Sequence, residues 1–341
     1  MDRQFAVAVV GATGLVGEMM INVLDERAFP VSQLFPLASN RSLGRSVSFR
    51  GQSYPVSELE GFDFAQCDFA LFSAGAAVSR EHAPRAAAAG CIVIDNTSEF
   101  RYRESVPLVV PEVNPQALEG FGTSGIVANP NCSTIQLVVA LKPLHDEAHL
   151  ERIEVATYQS VSGAGREAVE ELARQSIAAL SGQGLAPTHG GVKPIAFNCV
   201  PHIDVFQENG YTREEMKIVW ETRKILGEPQ LRVNATAVRV PVFYGHSEAV
   251  HLELREKASA NDVRALLEKA PGVKVIDERK AGGYPTPVSD AAGKDETFVG
   301  RIREDVSHPN GIDLWIVSDN IRKGAALNAV QVGELLIKDY L

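Results

Sequence analysis

Residues 5–10, Phe-Ala-Val-Ala-Val-Val, run directly into Gly11-Ala-Thr13-Gly14-Leu15-Val16-Gly17. The first stretch is apolar at every position, as in a strand buried on both faces of a parallel sheet. Beyond the glycines, apolar residues return at helical spacing through Met20, Val23 and Leu24. Glycines three apart between a strand and a helix let the chain turn tightly. They also let backbone approach a pyrophosphate and aim the helix N-terminus at it. A glycine-rich turn without a ligand has the same composition, so the triad draws its force from the strand before it and the helix after it. It commits the start of the chain to a βαβ unit that binds a dinucleotide.

The alternation continues. Leu34 to Ala38 and Asp68 to Ser73 have strand composition, and the Ala-rich run Ser79 to Ala89 is a helix closed by Gly90. Cys91 to Asp95, Leu108 to Val110 and Ile126 to Ala128 supply further strands. Strand and helix in turn predict a Rossmann-like, doubly wound parallel sheet, whose ligands lie beyond the strands' carboxyl ends. Gly11, Gly75, Asn96 and Cys132 all fall at such ends, and Cys132 is expected beside the nicotinamide. NAD enzymes commonly carry an acid after the second strand to hold the ribose 2′-hydroxyl. Here the chain reads Ser39-Asn40-Arg41-Ser42, a cation with hydroxyls and no carboxylate. That set suits a 2′-phosphate and favours NADP over NAD; Arg41 as a solvated loop charge is the plain alternative.

After Pro143 the pattern changes. Arg152 to Gln159 is strand-like, Ser160 to Gly165 is a glycine turn, and Arg166 to Leu180 has helical periodicity. Residues 181–195 form a Gly/Pro-rich loop. Thr212 to Leu226 is a helix with a capped start, and Leu231 to Phe243 and Ser247 to Leu254 alternate like antiparallel strands. Ala260 to Ala270 is a helix, Leu314 to Val317 a strand, and Lys323 to Leu341 an amphipathic helix. This half is a second, α+β domain, and 341 residues are enough for two cores.

The chemistry gathers at Asn129-Pro130-Asn131-Cys132-Ser133-Thr134, between the strand run 126–128 and the helical run Ile135 to Leu141. A cysteine at a helix N-terminus meets free N–H groups and the positive end of the dipole, which lower a thiol's pKa and favour thiolate. Read alone, Cys132 is equally a small core cysteine. The chain has four cysteines, and no CxxC spacing points to a metal site or a redox dithiol. Cys67 and Cys91 sit in apolar surroundings and are read as packing residues. The net charge of −10 argues against nucleic-acid or anionic-membrane partners. No apolar run is long enough to span a bilayer and no signal peptide is read, so a reducing cytoplasm is expected. Gln159, Glu214, Lys217, Arg239 and His246 add polar groups at element ends. Each has an ordinary structural reading, an exposed ion pair for Glu214 and Lys217 above all. Together a thiolate, a base and a dinucleotide point to aldehyde oxidation through a thioester, and the cations to an anionic substrate.

The hexapeptide, the glycine triad, Ser162-Gly163-Ala164-Gly165, Glu214-Glu215-Met-Lys217 with Glu221-Thr222, Arg239-Val-Pro-Val with Gly245-His246, and the final Asp319-Asn320 to Asn328 stretch together resemble aspartate-semialdehyde dehydrogenases of the bacterial type. The resemblance runs the whole chain. It implies NADPH-dependent conversion of 4-phospho-L-aspartate to L-aspartate 4-semialdehyde with release of inorganic phosphate, serving lysine, threonine, methionine and isoleucine synthesis. It implies Cys132 as nucleophile and His246 as general acid/base. Gln159 would position the acyl group, Arg239 hold the substrate carboxylate and Glu214 its amino group. Arg101, Asn131 and Lys217 would bind phosphate. Gly11, Thr13, Gly14, Leu15, Val16, Gly17, Ser39, Arg41, Ser42, Ser162, Gly163 and Asn320 would contact NADP. It further implies a homodimer formed through a catalytic and dimerisation domain, residues 131–319, with the dinucleotide-binding domain made of 1–130 and 320–341.

Three rivals compete. N-acetyl-glutamyl-phosphate reductases share the cysteine–histidine logic, but their acylated amine would leave Glu214 without a cation. Glyceraldehyde-3-phosphate dehydrogenase motifs are missing. An inactive paralogue would be expected to lose Cys132, Arg239 or His246, and all three are present.

Overall fold

The computed structural model describes residues 3–186 and 193–341. In chain order the elements are β1 (Phe5–Val10), α1 (Leu15–Glu26), β2 (Val31–Ala38), β3 (Ser46–Phe49), β4 (Gln52–Pro55), β5 (Ser57–Glu58), β6 (Phe69–Phe72), α2 (Ala76–Ala88), β7 (Ile92–Asp95) and β8 (Ile126–Ala128). They continue with α3 (Cys132–Ala148), β9 (Leu150–Gln159), α4 (Arg166–Leu180), α5 (Arg213–Leu226), β10 (Arg232–Arg239), β11 (His246–Leu254) and α6 (Ala260–Leu267). The last are β12 (Val273–Val275), β13 (Thr297–Glu304), β14 (Gly311–Ser318) and α7 (Asn328–Asp339). Two compact units result: Met1–Asn131 with Ala325–Leu341, and Cys132–Gly324. Among the described residues no helix is long and apolar enough to cross a membrane.

The first unit holds a six-stranded sheet in the order β5-β2-β1-β6-β7-β8, every pairing parallel. The apolar runs of β1, β6 and β8 are buried at almost every position, as parallel strands covered on both faces must be. The final helix returns to this unit: Leu327, Val330, Val332 and Leu336 join the core of β1, α1 and β6. It is pinned there by Asn328, whose Nδ2 donates to Asn129 Oδ1 at 2.7 Å and to the Val109 carbonyl at 3.0 Å. Leu108 makes only an isolated bridge to Ala128, so the expected strand at 108–110 does not form. A β3–β4 hairpin, unforeseen in the sequence, turns at Arg50 and Gly51, both at positive φ (49° and 72°), as a two-residue hairpin turn demands.

The second unit holds a mixed sheet, β10-β9-β11-β14-β13-β12. β10 and β11, consecutive strands in the chain, are not sheet neighbours; β9 lies between them, parallel to β10 and antiparallel to β11. The connection from Val240 to Gly245 therefore crosses over β9. Thr212 caps α5 with Glu215 in a reciprocal capping box, as its sequence predicts. α3, α5 and α6 cover an apolar core with Leu137, Leu141, Ile153, Ile218, Leu252 and Ile316. Residues 181–186 and 193–195 carry neither helix nor strand; the rest of the loop read at 181–195 lies outside the described residues.

Candidate active site

In the first unit, Gly11 leaves β1 at φ 88°, and a Cβ there would lie 3.0 Å from the Ala74 nitrogen. At Gly17 a Cβ would fall 2.2 Å from the Gly11 carbonyl oxygen, so the turn and the first coil of α1 touch through bare backbone. Gly14 caps α1, and Leu15, Val16 and Gly17 open it. Gly11, Thr13, Gly14, Ser39, Arg41 and Ser42 line one cleft of about 660 Å³, with the Thr13 and Ser42 hydroxyls 3.2 Å apart. A side-chain-free turn facing a helix N-terminus, with hydroxyls and a guanidinium nearby, fits the phosphates of a dinucleotide. β2 ends without an acid, but β5 brings one alongside: Glu58 pairs with Ala38 and lines the cleft, as do Glu60 and Glu81. A two-residue strand has no legible pattern, so sequence reasoning missed these carboxylates. Arg101 and Asn131 also belong to this unit; both are buried, and Arg101 Nη2 donates to the Asn96 carbonyl at 2.8 Å.

In the second unit, Cys132 is the first residue of α3, at the positive end of the helix dipole. Gly324 faces it so closely that a Cβ would come within 2.8 Å of the Cys132 Cβ. The sheet beneath α3 carries a polar row. Arg239 on β10 pairs with Gln159 on β9, and His246 on β11 pairs with Ser318 on β14. Since Ser247 pairs with Tyr158, His246 lies beside Gln159. Alternation in each strand puts all four side chains on one face.

These groups are tied together. Arg239 Nη1 donates to the Ser160 carbonyl at 2.8 Å and to Gln159 Oε1 at 3.4 Å. Gln159 Nε2 donates to Glu214 Oε1 at 3.1 Å. Lys217 donates to Glu214 at 3.0 Å and to Asp204 at 2.7 Å. Burial pushes the Asp204 carboxyl up, but the Lys217 ammonium outweighs it and leaves it below the usual carboxylate range. Burial likewise depresses Lys217, and Glu214 with Asp204 raises it above its ordinary value. Burial lowers the Arg239 guanidinium below its ordinary value, against smaller opposing effects of Glu214 and Cys132.

His246 is wholly buried. Its Nδ1 accepts from the Ser160 backbone N–H at 3.1 Å and lies 3.0 Å from the Ser160 hydroxyl. An N–H aimed at Nδ1 makes that nitrogen the acceptor, so the neutral ring carries its proton on Nε2. Nε2 has no hydrogen-bond partner among the described residues. It and Arg239 Nη1 stand 3.2 and 3.0 Å from where a Gly163 Cβ would be, so glycine is what leaves room beside them. Burial, then the Arg239 charge, pushes the imidazole down to about 3, against a smaller opposing effect of Glu214. No local pattern in the sequence forecasts the ring's complete burial. Asn320 Oδ1 accepts from Ser160, Ser162 and Gly245, bracing the turn that holds the ring.

The structure therefore brings Cys132, Gln159, Ser162, Gly163, Glu214, Lys217, Arg239, His246 and Asn320 into one unit, and the glycine turn, Ser39, Arg41 and Ser42 into the other. Of the residues near the junctions, Asn131 falls in the first unit, and Cys132 and Asn320 to Gly324 in the second. Ser160 and Asp204 were missed. Ser160 is masked by a serine-rich turn, and Asp204, held at φ 67°, reaches Lys217 from a loop with no motif.

Two family models match. One described as the semialdehyde dehydrogenase NAD-binding domain covers residues 6–121, and one described as the semialdehyde dehydrogenase dimerisation domain covers 141–323. The chain is 58% identical to the aspartate-semialdehyde dehydrogenase of Legionella pneumophila, over 100% of this chain and 98% of that protein. Its fold matches the crystal structure of aspartate semialdehyde dehydrogenase II from Vibrio cholerae complexed with ASA, with a TM-score of 0.97, 54% identity and full coverage of both chains. It also matches the Candida albicans aspartate semialdehyde dehydrogenase with NADP, at a TM-score of 0.76 and 26% identity over 98% of each chain.

Proposed function

The chain belongs to the aspartate-semialdehyde dehydrogenase family, and on that premise we propose how its own residues perform the NADPH-dependent reduction of 4-phospho-L-aspartate to L-aspartate 4-semialdehyde. The observation that carries the reading is Cys132 at the start of α3, in one unit with the Arg239 charge and the Nε2–H of His246. The reaction belongs to amino-acid synthesis feeding lysine, threonine, methionine and isoleucine. The working form is a homodimer, a reading the dimerisation-domain match supports, and its proposed setting is the cytoplasm.

NADPH bound in the glycine-turn cleft supplies the hydride. Ser39, Arg41 and Ser42 take its 2′-phosphate, and Gly11, Thr13, Gly14, Leu15, Val16 and Gly17 its pyrophosphate. Arg41→Ala is expected to raise the KM for NADPH about tenfold and leave that for NADH nearly unchanged, the loss of one charge-assisted contact. Equal losses for both cofactors in steady-state assays would take Arg41 out of the 2′-phosphate site.

Cys132 as thiolate attacks the acyl carbon of 4-phospho-aspartate, the C–O bond to phosphate breaks, and a thioester forms. Arg101, Asn131 and Lys217 receive the phosphate. Hydride addition turns the thioester carbonyl into an alkoxide, whose collapse expels the Cys132 thiolate and frees the aldehyde. These last two steps sum to no net proton at that oxygen. His246, neutral in its resting state, is therefore a hydrogen-bond donor: Nε2–H meets the oxygen while it carries charge. Gln159 sets the acyl group, and Ser162 and Asn320 hold the turn that carries the ring. Arg239 grips the substrate carboxylate, and Glu214 its ammonium. Arg239→Lys is expected to raise the substrate KM and lower kcat together, since a point charge cannot reproduce a planar fork. Unchanged constants would remove Arg239 from the site.

The reading as a whole is tested by phosphate-dependent reduction of NADP with aspartate semialdehyde, run beside N-acetyl-glutamate semialdehyde. Strong preference for the free amine is expected. Turnover of the acetylated compound alone would overturn the assignment of Glu214 and the substrate.

A further inference from the structure

Directly behind the Cys132–His246 layer lies a second polar layer that the chemistry above does not use. Gln136 stands four residues after Cys132 on α3, hence on the same helical stripe, and Glu248 two residues after His246 on β11, hence on the same sheet face. α3 packs across β9, β11, β13 and β14. Glu248 is flanked on that face by Thr157 and Ile316. Both Glu248 and Gln136 are fully buried, and neither carboxyl oxygen nor either amide atom has a hydrogen-bond partner of regular geometry among the described residues. The amide of Gln136 is nonetheless near enough to bear on the carboxyl, lowering its pKa, while burial raises it well above the ordinary range. An uncompensated buried carboxylate is costly, and the neutral acid is the form that such a site accepts.

A neutral carboxylic acid and a primary amide are complementary: the acid O–H donates to the amide oxygen and the amide N–H to the acid carbonyl. We propose that Glu248 and Gln136 are positioning residues, an acid–amide pair that fixes the first turns of α3 on β11 and so sets Cys132 against His246. The inference rests on the proposed roles of Cys132 and His246, and its test separates it from them. Removing both polar groups at once avoids stranding either one, and well-packed apolar replacements of such pairs are often neutral or stabilising.

The experiment compares the Gln136→Leu/Glu248→Met double variant with the swap Gln136→Glu/Glu248→Gln. The double variant is expected to melt at or above the temperature of the parent while kcat falls about tenfold or more and KM stays within about twofold, the signature of a displaced nucleophile. The swap, which restores complementarity with the roles exchanged, is expected to recover kcat to within about threefold of the parent. In infrared spectra the protonated-carboxyl band should vanish in Glu248→Gln. A folded double variant with parental kcat, or a swap no better than the double variant, overturns the proposal even if Cys132 and His246 prove essential. If Cys132 and His246 prove dispensable instead, the reading on which it rests is what fails.

Discussion

Cys132→Ser is expected to lower kcat by roughly 10³-fold or more while NADP affinity stays within about twofold. The nucleophile in the proposed route is a thiolate, and two features favour negative charge at that position: the first turn of α3 and the Arg239 guanidinium. A serine hydroxyl in the same place stays protonated, and its ester is a poorer hydride acceptor than a thioester. Cofactor affinity should survive because the glycine turn, Ser39, Arg41 and Ser42 are all built into the other unit. The remaining cysteines give an internal control. Cys67 is buried and pushed up to about 12 by burial, Cys91 is buried and pushed up likewise, and Cys199 is exposed. Cys199→Ser should therefore retain full activity and full sensitivity to alkylation, with the aspartyl adduct found on Cys132 by mass spectrometry of acid-quenched enzyme. An adduct on another residue, or a Cys132→Ser protein that fails to fold, would dismantle the catalytic assignment.

The nucleotide-binding fold was legible because its signal is local. A strand apolar on both faces, glycines at spacing three and a helix follow one another within residues 5–24, and Gly17 shows why the spacing matters: nothing larger fits against Gly11. Cys132 was legible for the same reason, since a strand end, Pro130 and a helix start stand side by side. What the residues did not betray depends on distant partners. β10 and β11 follow each other in sequence, and only the sheet shows β9 between them. Glu58 enters the cofactor cleft by pairing with β2 through a strand of two residues. The His246 environment is assembled from Ser160, Arg239 and Asn320, residues with up to 160 positions between them. No period or spacing reports that a ring will be completely buried. The donor role proposed here is argued from the ring's surroundings, whereas the general acid/base role is what the resemblance implies.

That distinction has measurable consequences. His246→Leu is expected to cost about 10²–10³ in kcat, the usual loss when one preorganised donor to an oxyanion is removed. His246→Gln, whose amide N–H can still donate, should lose less, and a base of any pKa should be unable to replace it. Because burial and Arg239 hold the ring at about 3, kcat/KM should show no ionisation of this group near 6.5, the ordinary histidine value. An acidic limb near 6.5 that disappears in His246→Gln would identify an imidazolium and overturn the donor role. Stability carries the same signature with a definite sign. The unfolded ring binds a proton below about 6.5 and the folded ring does not until about 3, so protonation favours the unfolded chain in that window. The contribution is intact above 6.5 and is lost as pH falls toward 3, at up to about 1.4 kcal/mol per pH unit. Glu248, raised by burial, runs the opposite way: its contribution is lost as pH rises above the ordinary carboxyl range. Comparing His246→Gln with the parent cancels that second slope. The difference in unfolding free energy between them, followed by urea titration from pH 7 to pH 4, should move steadily in favour of the variant as acid is added. A difference independent of pH would mean that the folded ring takes up its proton as readily as the unfolded one, and the neutral donor at the centre of the proposed chemistry would have to be given up.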